Sequence, residues 1–93
     1  GQTAFRLRLY VAGHLPNSVL AEANLRRLCE AWVPDRYDIE VIDFLDDPAA
    51  ALRDGVIVTP TLVRLAPEPR MVIIGTLADG ESVARALGMA EAS

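Results

Sequence analysis

Residues 56–65, VIVTPTLVRL, give the strongest indication of the fold, because a proline lies directly ahead of a run typical of a β-strand. Proline has no amide hydrogen and is found at the start of a strand, so Pro60 marks the boundary and residues 62–65 form the strand. The stiff turn Pro67–Glu68–Pro69 and a fourth apolar run, residues 71–74, follow at once. We therefore predict a β-hairpin made of the third and fourth strands of the chain.

Upstream, the sequence predicts two strands joined by a helix. Residues 5–12, FRLRLYVA, alternate apolar and charged side chains and then run apolar, and residues 37–45, YDIEVIDFL, alternate in a similar way. Between them, a helix over residues 18–33 has one apolar face, made of Leu25, Leu28, Cys29 and Trp32. Asn17 or Ser18 is expected to cap that helix. A helical crossover makes the two strands parallel.

Two short helices complete the pattern. The first covers residues 49–54 behind an Asp-Asp-Pro start, and Gly55 closes it. The second runs from a cap at Asp79 to about Leu87, with Gly88 as its stop. The order β-α-β-α-β-β-α, with a proline ahead of the third strand, predicts a mixed α/β, thioredoxin-like fold.

Composition limits the size and the partners of the protein. A chain of 93 residues predicts a single domain over residues 1–93, with 1–4 and 89–93 frayed. Its nine cationic side chains are all arginine, and the net charge is −4. This balance argues against nucleic acid or an anionic membrane as the main partner, since clustered cations hold both. No apolar run reaches the ~20 residues of a membrane span, so we expect a soluble, cytoplasmic protein.

The single cysteine and single histidine restrict the chemistry. Thioredoxin-like redox proteins place Cys-x-x-Cys at the start of the first helix, where this chain reads Gly13–Ser18 without cysteine. We interpret Cys29 as an inert core thiol rather than an exposed, oxidisable one. His14 reads as a solvated turn residue, the alternative being a group that polarises a ligand or senses pH. Neither residue has the partners of a catalytic or metal site, so we predict no catalytic residue, metal or cofactor.

Acidic side chains gather near the second helix, at Asp43, Asp46, Asp47 and Asp54. Their spacing matches no calcium-binding loop, although carboxylates of this kind can bind a hard cation. Capping of the helix that begins at Pro48 explains Asp46 or Asp47 more simply.

Six fragments, in order and without a large gap, resemble the KaiB family of circadian clock proteins. They are LYVAG (9–13), PNS (16–18), EVID (40–43), DP (47–48), TPTLVR (59–64) and IIG followed by leucine (73–77). Each fragment is weak alone, but together they cover the chain from about Leu7 to Leu87.

The resemblance implies a non-enzymatic timing protein that binds the ATPase ring of KaiC and competes there with the SasA-type histidine kinase. In full clocks it helps to sequester KaiA. The resemblance also implies two folds for one sequence: a tetrameric resting fold, and a monomeric thioredoxin-like fold that engages KaiC. The chain is then a monomer, dimer or tetramer depending on its fold, and the two packings lie within a few kcal/mol of each other.

Three positions are implied to contact the partner. Tyr37 keeps the family's aromatic residue and Arg64 keeps a basic one, whereas Glu40 stands where clock members carry lysine. Gly55 also replaces a lysine just after the second helix. A reversed charge alters steering and pairing, so we expect a non-cyanobacterial homologue with its own KaiC, and KaiA remains open as a partner.

Five positions bear on the balance between the folds: Pro60, Pro67, Pro69, Ala86 and Gly88. The family has an unbroken proline run where this chain has Pro-Glu-Pro, and Gly followed by Asp at the last two positions. Alanine in place of glycine favours a helix by ~0.8 to 1 kcal/mol. We therefore expect the thioredoxin-like fold with Pro60 cis, the alternative being the family's resting fold.

Two other functions remain open from the sequence. One is a stand-alone thioredoxin-fold redox or stress protein, which with Cys29 alone is limited to a mixed disulfide with an external thiol. The other is a SasA-like sensory domain fixed in one fold. A neighbouring gene for KaiC would separate the clock role from the redox role.

Overall fold

The predicted order of elements is confirmed in the computed structural model, which describes residues 4–90. The four strands are β1 (Phe5–Val11), β2 (Tyr37–Asp43), β3 (Thr61–Ala66) and β4 (Met71–Ile74). The three helices are α1 (Pro16–Trp32), α2 (Pro48–Arg53) and α3 (Gly80–Ala86). The thioredoxin-like fold, rather than the resting alternative, is the state described, because residues 80–86 are helical.

The strands form one sheet in the order β2-β1-β3-β4. Strands β1 and β2 are parallel, in a register that pairs Phe5 with Tyr37 and Arg8 with Glu40. Strand β3 runs antiparallel to both β1 and β4, so the predicted hairpin is present. The parallel β1–β2 pair, joined through α1, is also as predicted.

Alternate residues of the central strands serve two cores on opposite sides of the sheet. Leu9 and Leu62 belong to the larger core, under α1 and α3, whose other members include Leu25, Cys29 and Val83. Tyr10 and Val63, next along the same strands, belong to a smaller core with Ala50, Ala51 and Val56. Helix α2 therefore covers one side of the sheet, here called the α2 face, and α1 and α3 cover the other.

The start of α1 differs from the prediction. Leu15 is the N-cap residue and makes no side-chain cap hydrogen bond, so neither Asn17 nor Ser18 caps the helix. Pro16 is the first helical residue, a position where a backbone N–H would have no partner within the helix, so the lack of an N–H in proline costs nothing there. Ser18 is instead buried, and its Oγ accepts a hydrogen bond of 3.0 Å from the Ala12 amide. The hydroxyl thus satisfies the end of β1 rather than the start of α1.

The end of the same helix also departs from the expected apolar face. Leu25, Leu28 and Cys29 are buried as predicted, but Trp32 is 42% exposed. Trp32 is the last residue of α1 and lines a shallow groove with Leu77 and Ala78. The apolar face of α1 is therefore buried up to Cys29 and exposed to solvent over the last turn of the helix.

The caps of the two short helices are as predicted. Asp47 accepts a hydrogen bond from the Ala50 amide at the start of α2, and Asp79 accepts one from the Ser82 amide at the start of α3. After α3, Gly88 adopts φ +81° and its amide donates to the Arg85 carbonyl. The Met89 amide donates to the Ala84 carbonyl at 2.8 Å, which completes a Schellman motif.

Three X–Pro bonds are cis: Thr59–Pro60, as predicted, and also Ala66–Pro67 and Glu68–Pro69. The predicted fraying of residues 1–4 and 89–93 falls mostly outside the described residues. The parts within it, Ala4, Met89 and Ala90, pack against the larger core. Within residues 4–90, none of the helices is both long enough and apolar enough to cross a membrane.

Candidate interaction surface

Strand β2 carries two of the three predicted contact residues and is an edge strand of the sheet. Its residues alternate between the sheet's two sides, so Tyr37 lies on the α1 side and Glu40 on the α2 face. The Tyr37 ring packs against the larger core, and its hydroxyl donates a 2.6 Å hydrogen bond to Glu30 Oε2. This bond to a carboxylate raises the pKa of the Tyr37 phenol. The ring is therefore held in place while its edge stays accessible.

Glu40 is exposed but already has a partner. Its Oε1 accepts a 2.7 Å hydrogen bond from Arg8 Nε across the parallel pair, and its side chain is 55% exposed. Arg8 Nη1 also donates to Asp54 Oδ2 at 3.0 Å. The two carboxylates, Glu40 first, raise the pKa of the Arg8 guanidinium. The acidic residue at the family's lysine position thus pairs with an arginine of its own chain.

Asp54, at the end of α2, is the centre of a polar network that the sequence did not predict. Its Oδ2 accepts a 2.5 Å hydrogen bond from the buried Tyr10 hydroxyl as well as the bond from Arg8. Arg70 lies beside it, with Nη2 3.5 Å from Asp54 Oδ1 and 2.5 Å from the Asp54 carbonyl oxygen. We call these residues, with Glu40, the Asp54 network. It joins β1, β2, α2 and the residue before β4.

Ionisation of the network follows from these contacts. Burial opposes the charge on Asp54, but the hydrogen bonds from Tyr10 and Arg8 and the charges of Arg8 and Arg70 outweigh it, so the Asp54 pKa lies below its usual range. Burial, helped by the hydrogen bond to Asp54, raises the pKa of Tyr10 to about 12. Asp54 is therefore a carboxylate and Tyr10 a neutral donor at neutral pH.

Arg64 is buried rather than on the surface, which corrects the picture of it as a partner-facing charge. It is 6% exposed; Nη1 donates 2.7 Å to the Leu87 carbonyl and Nη2 donates 2.6 Å to the Pro69 carbonyl. Its Nε has no hydrogen-bond partner among the described residues. On β3 it faces the side of α3, because its neighbour Val63 faces α2. Arg64 thus links β3, the proline turn and the end of α3.

The five residues assigned to fold switching lie in three places. Pro60 precedes β3, and Pro67 and Pro69 bracket Glu68 in the turn between β3 and β4. Ala86 is the exposed last residue of α3 and Gly88 follows its cap. A Cβ added at Gly88 would lie 3.6 Å from Arg64 Nη1, and Arg64 Nη2 donates to the Pro69 carbonyl, so the proline turn and the end of α3 meet at Arg64.

The α2 face leaves a group of large apolar side chains exposed. Leu52 on α2 and Val72 and Ile74 on β4 are 73%, 46% and 64% exposed. The register places Val72 beside Val63, so the two β4 side chains lie on the same side of the sheet as α2. Exposed apolar side chains of this size are suited to a protein–protein contact when they lie together.

The thiol and the histidine behave as the sequence indicated. Cys29 is fully buried, and burial raises its pKa to about 11, so it is a poor nucleophile. His14 is an exposed turn residue.

The acidic residues near α2 have separate roles. Asp47 caps α2 and Asp43 Oδ1 accepts from the Leu45 amide, whereas Asp54 belongs to its own network. Within residues 4–90, no cluster of three or more His, Cys, Asp or Glu residues could hold a metal ion.

Sequence comparison shows relatives over most of the chain. The KaiB domain model matches residues 8–89. The circadian clock protein KaiB3 of Synechocystis is 40% identical over 77 residues, which are 83% of this chain and 76% of that protein. The circadian clock oscillator protein KaiB of Microcystis aeruginosa is 44% identical over 77 residues, 83% of this chain and 74% of that protein.

Structural comparison shows the same fold in proteins of two kinds. The N-terminal domain of Synechococcus elongatus SasA superposes with a TM-score of 0.76, at 24% identity, covering 98% of this chain and 90% of that domain. A thioredoxin from Halobacterium salinarum superposes with a TM-score of 0.75, at 22% identity, covering 98% of this chain and 79% of that one. At these identities the likeness shows the fold.

Proposed function

The chain belongs to the KaiB family, and from this we propose that it is a non-enzymatic clock or timing protein. Relatives that are 40% and 44% identical over 83% of the chain are named as clock proteins. Cys29, the only cysteine, is buried with a raised pKa, which disfavours the redox alternative. A protein of this kind acts by binding, and we place it in the cytoplasm.

Its partner in this proposal is the ATPase ring of a KaiC-type protein, where it competes with a SasA-type histidine kinase. One observation carries this step: a chain of KaiB sequence has the fold of the SasA N-terminal domain over 98% of its length. Two proteins that share a fold can bind the same site on the KaiC-type ring, and binding of one then excludes the other. A sensory domain of the SasA type, the remaining alternative, would share this fold but belong to a different family.

Strand β2 is the surface we assign to the ring. Tyr37 offers an aromatic edge held by Glu30, and Glu40 offers a carboxylate held by Arg8. Aromatic side chains with restricted rotamers are efficient contact residues, since little entropy is lost on binding. Arg64 contributes to the described fold rather than to the β2 surface, because its guanidinium binds the Leu87 and Pro69 carbonyls.

The proposal includes two folds of the chain, with the described fold as the binding state. Pro60, Pro67, Pro69, Ala86 and Gly88 are the positions we assign to the balance between them, and oligomeric state follows the fold. A binding state that is a minor fraction of the population lowers the apparent affinity by that fraction. Slow capture by the ring would follow from slow refolding into this state. KaiA remains an open partner.

The test is a fluorescence anisotropy titration of the labelled protein with its cognate KaiC-type ATPase and ATP, read after a day. We expect a saturable complex that an unlabelled SasA-type N-terminal domain displaces. Tyr37→Ala should weaken it about tenfold, as for a contact residue that loses an aromatic ring. Asp35→Asn, in the loop before β2, keeps a side chain that tolerates the positive φ of this position, so it is the control and should change the affinity less than twofold. No complex after a day would overturn the proposal.

A further inference from the structure

Strand β4 is one of the two edges of the sheet, and its outer side has free main-chain groups. Among residues 4–90 it pairs only with β3, in a register that sets Ile74 opposite Thr61. The Gly75 amide donates to the Pro60 carbonyl at 3.0 Å and therefore points toward β3. Because successive residues of a strand direct their main-chain groups to alternate edges, the N–H and C=O groups of Val72 and Ile74 point away from β3. Within the described part of the chain, these four groups form no hydrogen bond.

The side chains of the same two residues are apolar and exposed. Val72 is 46% exposed and Ile74 is 64% exposed, on the side of the sheet where Val63 belongs to the smaller core. Ile73, between them, points to the other side and packs against the larger core while staying partly exposed. All three side chains are β-branched, and such side chains contact one another well across neighbouring strands. A further strand beside β4 would therefore cover apolar surface on both sides of the sheet.

The two edges of the sheet differ in charge. Strand β2 carries three carboxylates, Asp38, Glu40 and Asp43, whereas β4 reads MVII and carries no charged side chain. Charged side chains on an edge strand oppose its pairing with another chain. Arg70, the residue before β4, is occupied with Asp54, since its Nη2 donates to the Asp54 carbonyl oxygen. Strand β4 is therefore the edge without this protection.

The free groups of β4 are complementary to those of a second copy of the same strand. In an antiparallel pair centred on Ile73, Val72 lies opposite Ile74 of the second copy, and each of the two such pairs exchanges both of its N–H···O=C bonds. All the free groups of both strands are then used. The two Arg70 residues lie at opposite ends of the seam, ~20 Å apart along the strand direction. Copies with a net charge of −4 thus meet along an edge that carries none of their carboxylates.

We propose that the outer edge of β4 pairs with β4 of a second copy of this chain and forms a two-fold dimer with one continuous sheet of eight strands. The contact uses the same residues on both copies, so it closes at two and does not grow into a fibre. Stable complexes typically use ~20 to 30 residues on each side, and this seam uses far fewer, so we expect a dissociation constant on the order of 0.1 to 1 mM.

The dimer leaves the proposed partner surface free. Strand β2 is the opposite edge of each sheet, so pairing through β4 places the two β2 strands at the two ends of the joined sheet. Seven strand spacings separate them, which is ~34 Å. The inference goes beyond the proposed function, because it requires neither KaiC nor the β2 residues, and because it concerns the described fold rather than the family's tetrameric resting fold.

Amide hydrogen exchange of the whole chain, measured at about 0.05 mM and about 1 mM, tests the pairing residue by residue. The Val72 and Ile74 amides should exchange about two- to fivefold more slowly at the higher concentration, because dimerisation by mass action gives them acceptors. The Ile73 amide, which faces β3 in both states, is the internal control and should not change. Sedimentation velocity over the same range should show a monomer in equilibrium with a dimer.

A mixture of isotopically labelled and unlabelled chains identifies the register. The Ile73 residues form a non-hydrogen-bonded pair, in which the Cα atoms lie only ~4.5 Å apart, so an intermolecular contact between their Hα atoms is expected. Unchanged exchange at Val72 and Ile74, the absence of that contact, or assemblies larger than a dimer would overturn the proposal. So would a dimer whose residues 80–87 give the chemical shifts of a strand, since that is the resting fold.

Variants separate edge pairing from general apolar association. Ile74→Lys places a charge on the seam at an exposed position and should weaken the dimer at least about tenfold. Leu45→Lys makes the same change of charge at a residue that is 73% exposed in the turn after β2, and should change the dissociation constant less than twofold. Equal effects of the two variants would contradict the proposal. No ATPase is present in these measurements, so failure of the KaiC proposal leaves their result unaffected.

Discussion

Arg64 Nη1 donates a 2.7 Å hydrogen bond to the carbonyl oxygen of Leu87, the residue that caps the last helix. The bond ties the third strand to the end of α3, the segment whose helical state separates the two folds of the proposal. Nη2 of the same guanidinium holds the Pro69 carbonyl at 2.6 Å. One buried cation therefore joins the proline turn to the end of α3. Its removal should lower the stability of the described fold directly, whereas any effect on partner binding would be indirect.

Arg64→Met should destabilise the described fold by about 1 to 3 kcal/mol, because it leaves the Leu87 and Pro69 carbonyls without a donor. Methionine keeps much of the volume of the side chain, so the change removes the buried charge and its hydrogen bonds without a large cavity. The free energy of unfolding from urea titration, followed by circular dichroism, measures the effect. Arg85→Met, which removes only the exposed pair with Glu81, should cost less than about 0.5 kcal/mol. Similar losses for the two variants would show that the buried bonds add nothing.

Stability should fall in acid through Asp54. Its pKa is lowered in the folded state, so the carboxylate stabilises the fold above its unfolded pKa and this contribution is lost as pH falls through the folded pKa. With an ordinary value of 3.8, the loss should begin near that pH and continue below it. The measurement is the urea midpoint at a series of pH values from neutral downward.

The Asp54→Asn variant is the comparison for that series. It keeps the size of the side chain and removes its titration, so the variant should be less stable than the native chain at neutral pH and the two should converge in acid. Asp35→Asn, in the exposed loop before β2, should leave the acid profile unchanged. A gap between Asp54→Asn and the native chain that stays constant across the series would assign the acid loss to other carboxylates.

The thiol of Cys29 should be unreactive in the folded protein. It is fully buried and burial raises its pKa to about 11, so thiolate is scarce at pH 8. Ellman's reagent should label it only after denaturation, and the native protein should not reduce insulin disulfides. Cys29→Ala should cost on the order of 1 kcal/mol in packing. Insulin reduction by the native chain that this variant abolished would restore the redox interpretation.

The elements were predictable where local signals and burial agree. Strand β4 has its predicted bounds, and Asp79 caps α3 and Gly88 stops it as expected, because such signals depend on a few adjacent residues. The cis bond at Pro60 was predicted from the family resemblance and not from hydrophobic periodicity. The prediction for the start of α1 was wrong because the Ser18 hydroxyl accepts a hydrogen bond from the Ala12 amide after β1 instead of capping the helix. That contact depends on how α1 packs against the sheet.

The interaction surface was predictable only in part, because it depends on pairings far apart in the sequence. The burial of Arg64, which the resemblance implied to contact a partner, becomes evident only when β3 is placed against the end of α3. The bond from Tyr10 to Asp54 spans 44 residues, and no spacing rule connects them. A partial signal existed for Arg8, since charged residues on two parallel strands can pair across the register, as Arg8 and Glu40 do.

Ala86→Gly should shift the balance of folds toward the resting state. Ala86 is the exposed last residue of α3, so glycine there removes helix propensity, up to ~1 kcal/mol, without emptying a packed site. If the two folds are nearly degenerate, that changes their ratio by up to about fivefold, since ~1.4 kcal/mol is a factor of ten. Amide spectra would report the ratio from the separate resonances of residues 80–87 as helix and as strand. Ala23→Gly, exposed in the middle of α1, removes similar propensity from a helix outside the switching segment and is the matched control. If the Ala86→Gly and Ala23→Gly variants showed the same ratio of folds, helix propensity at position 86 would not be the cause of the preference for the described fold.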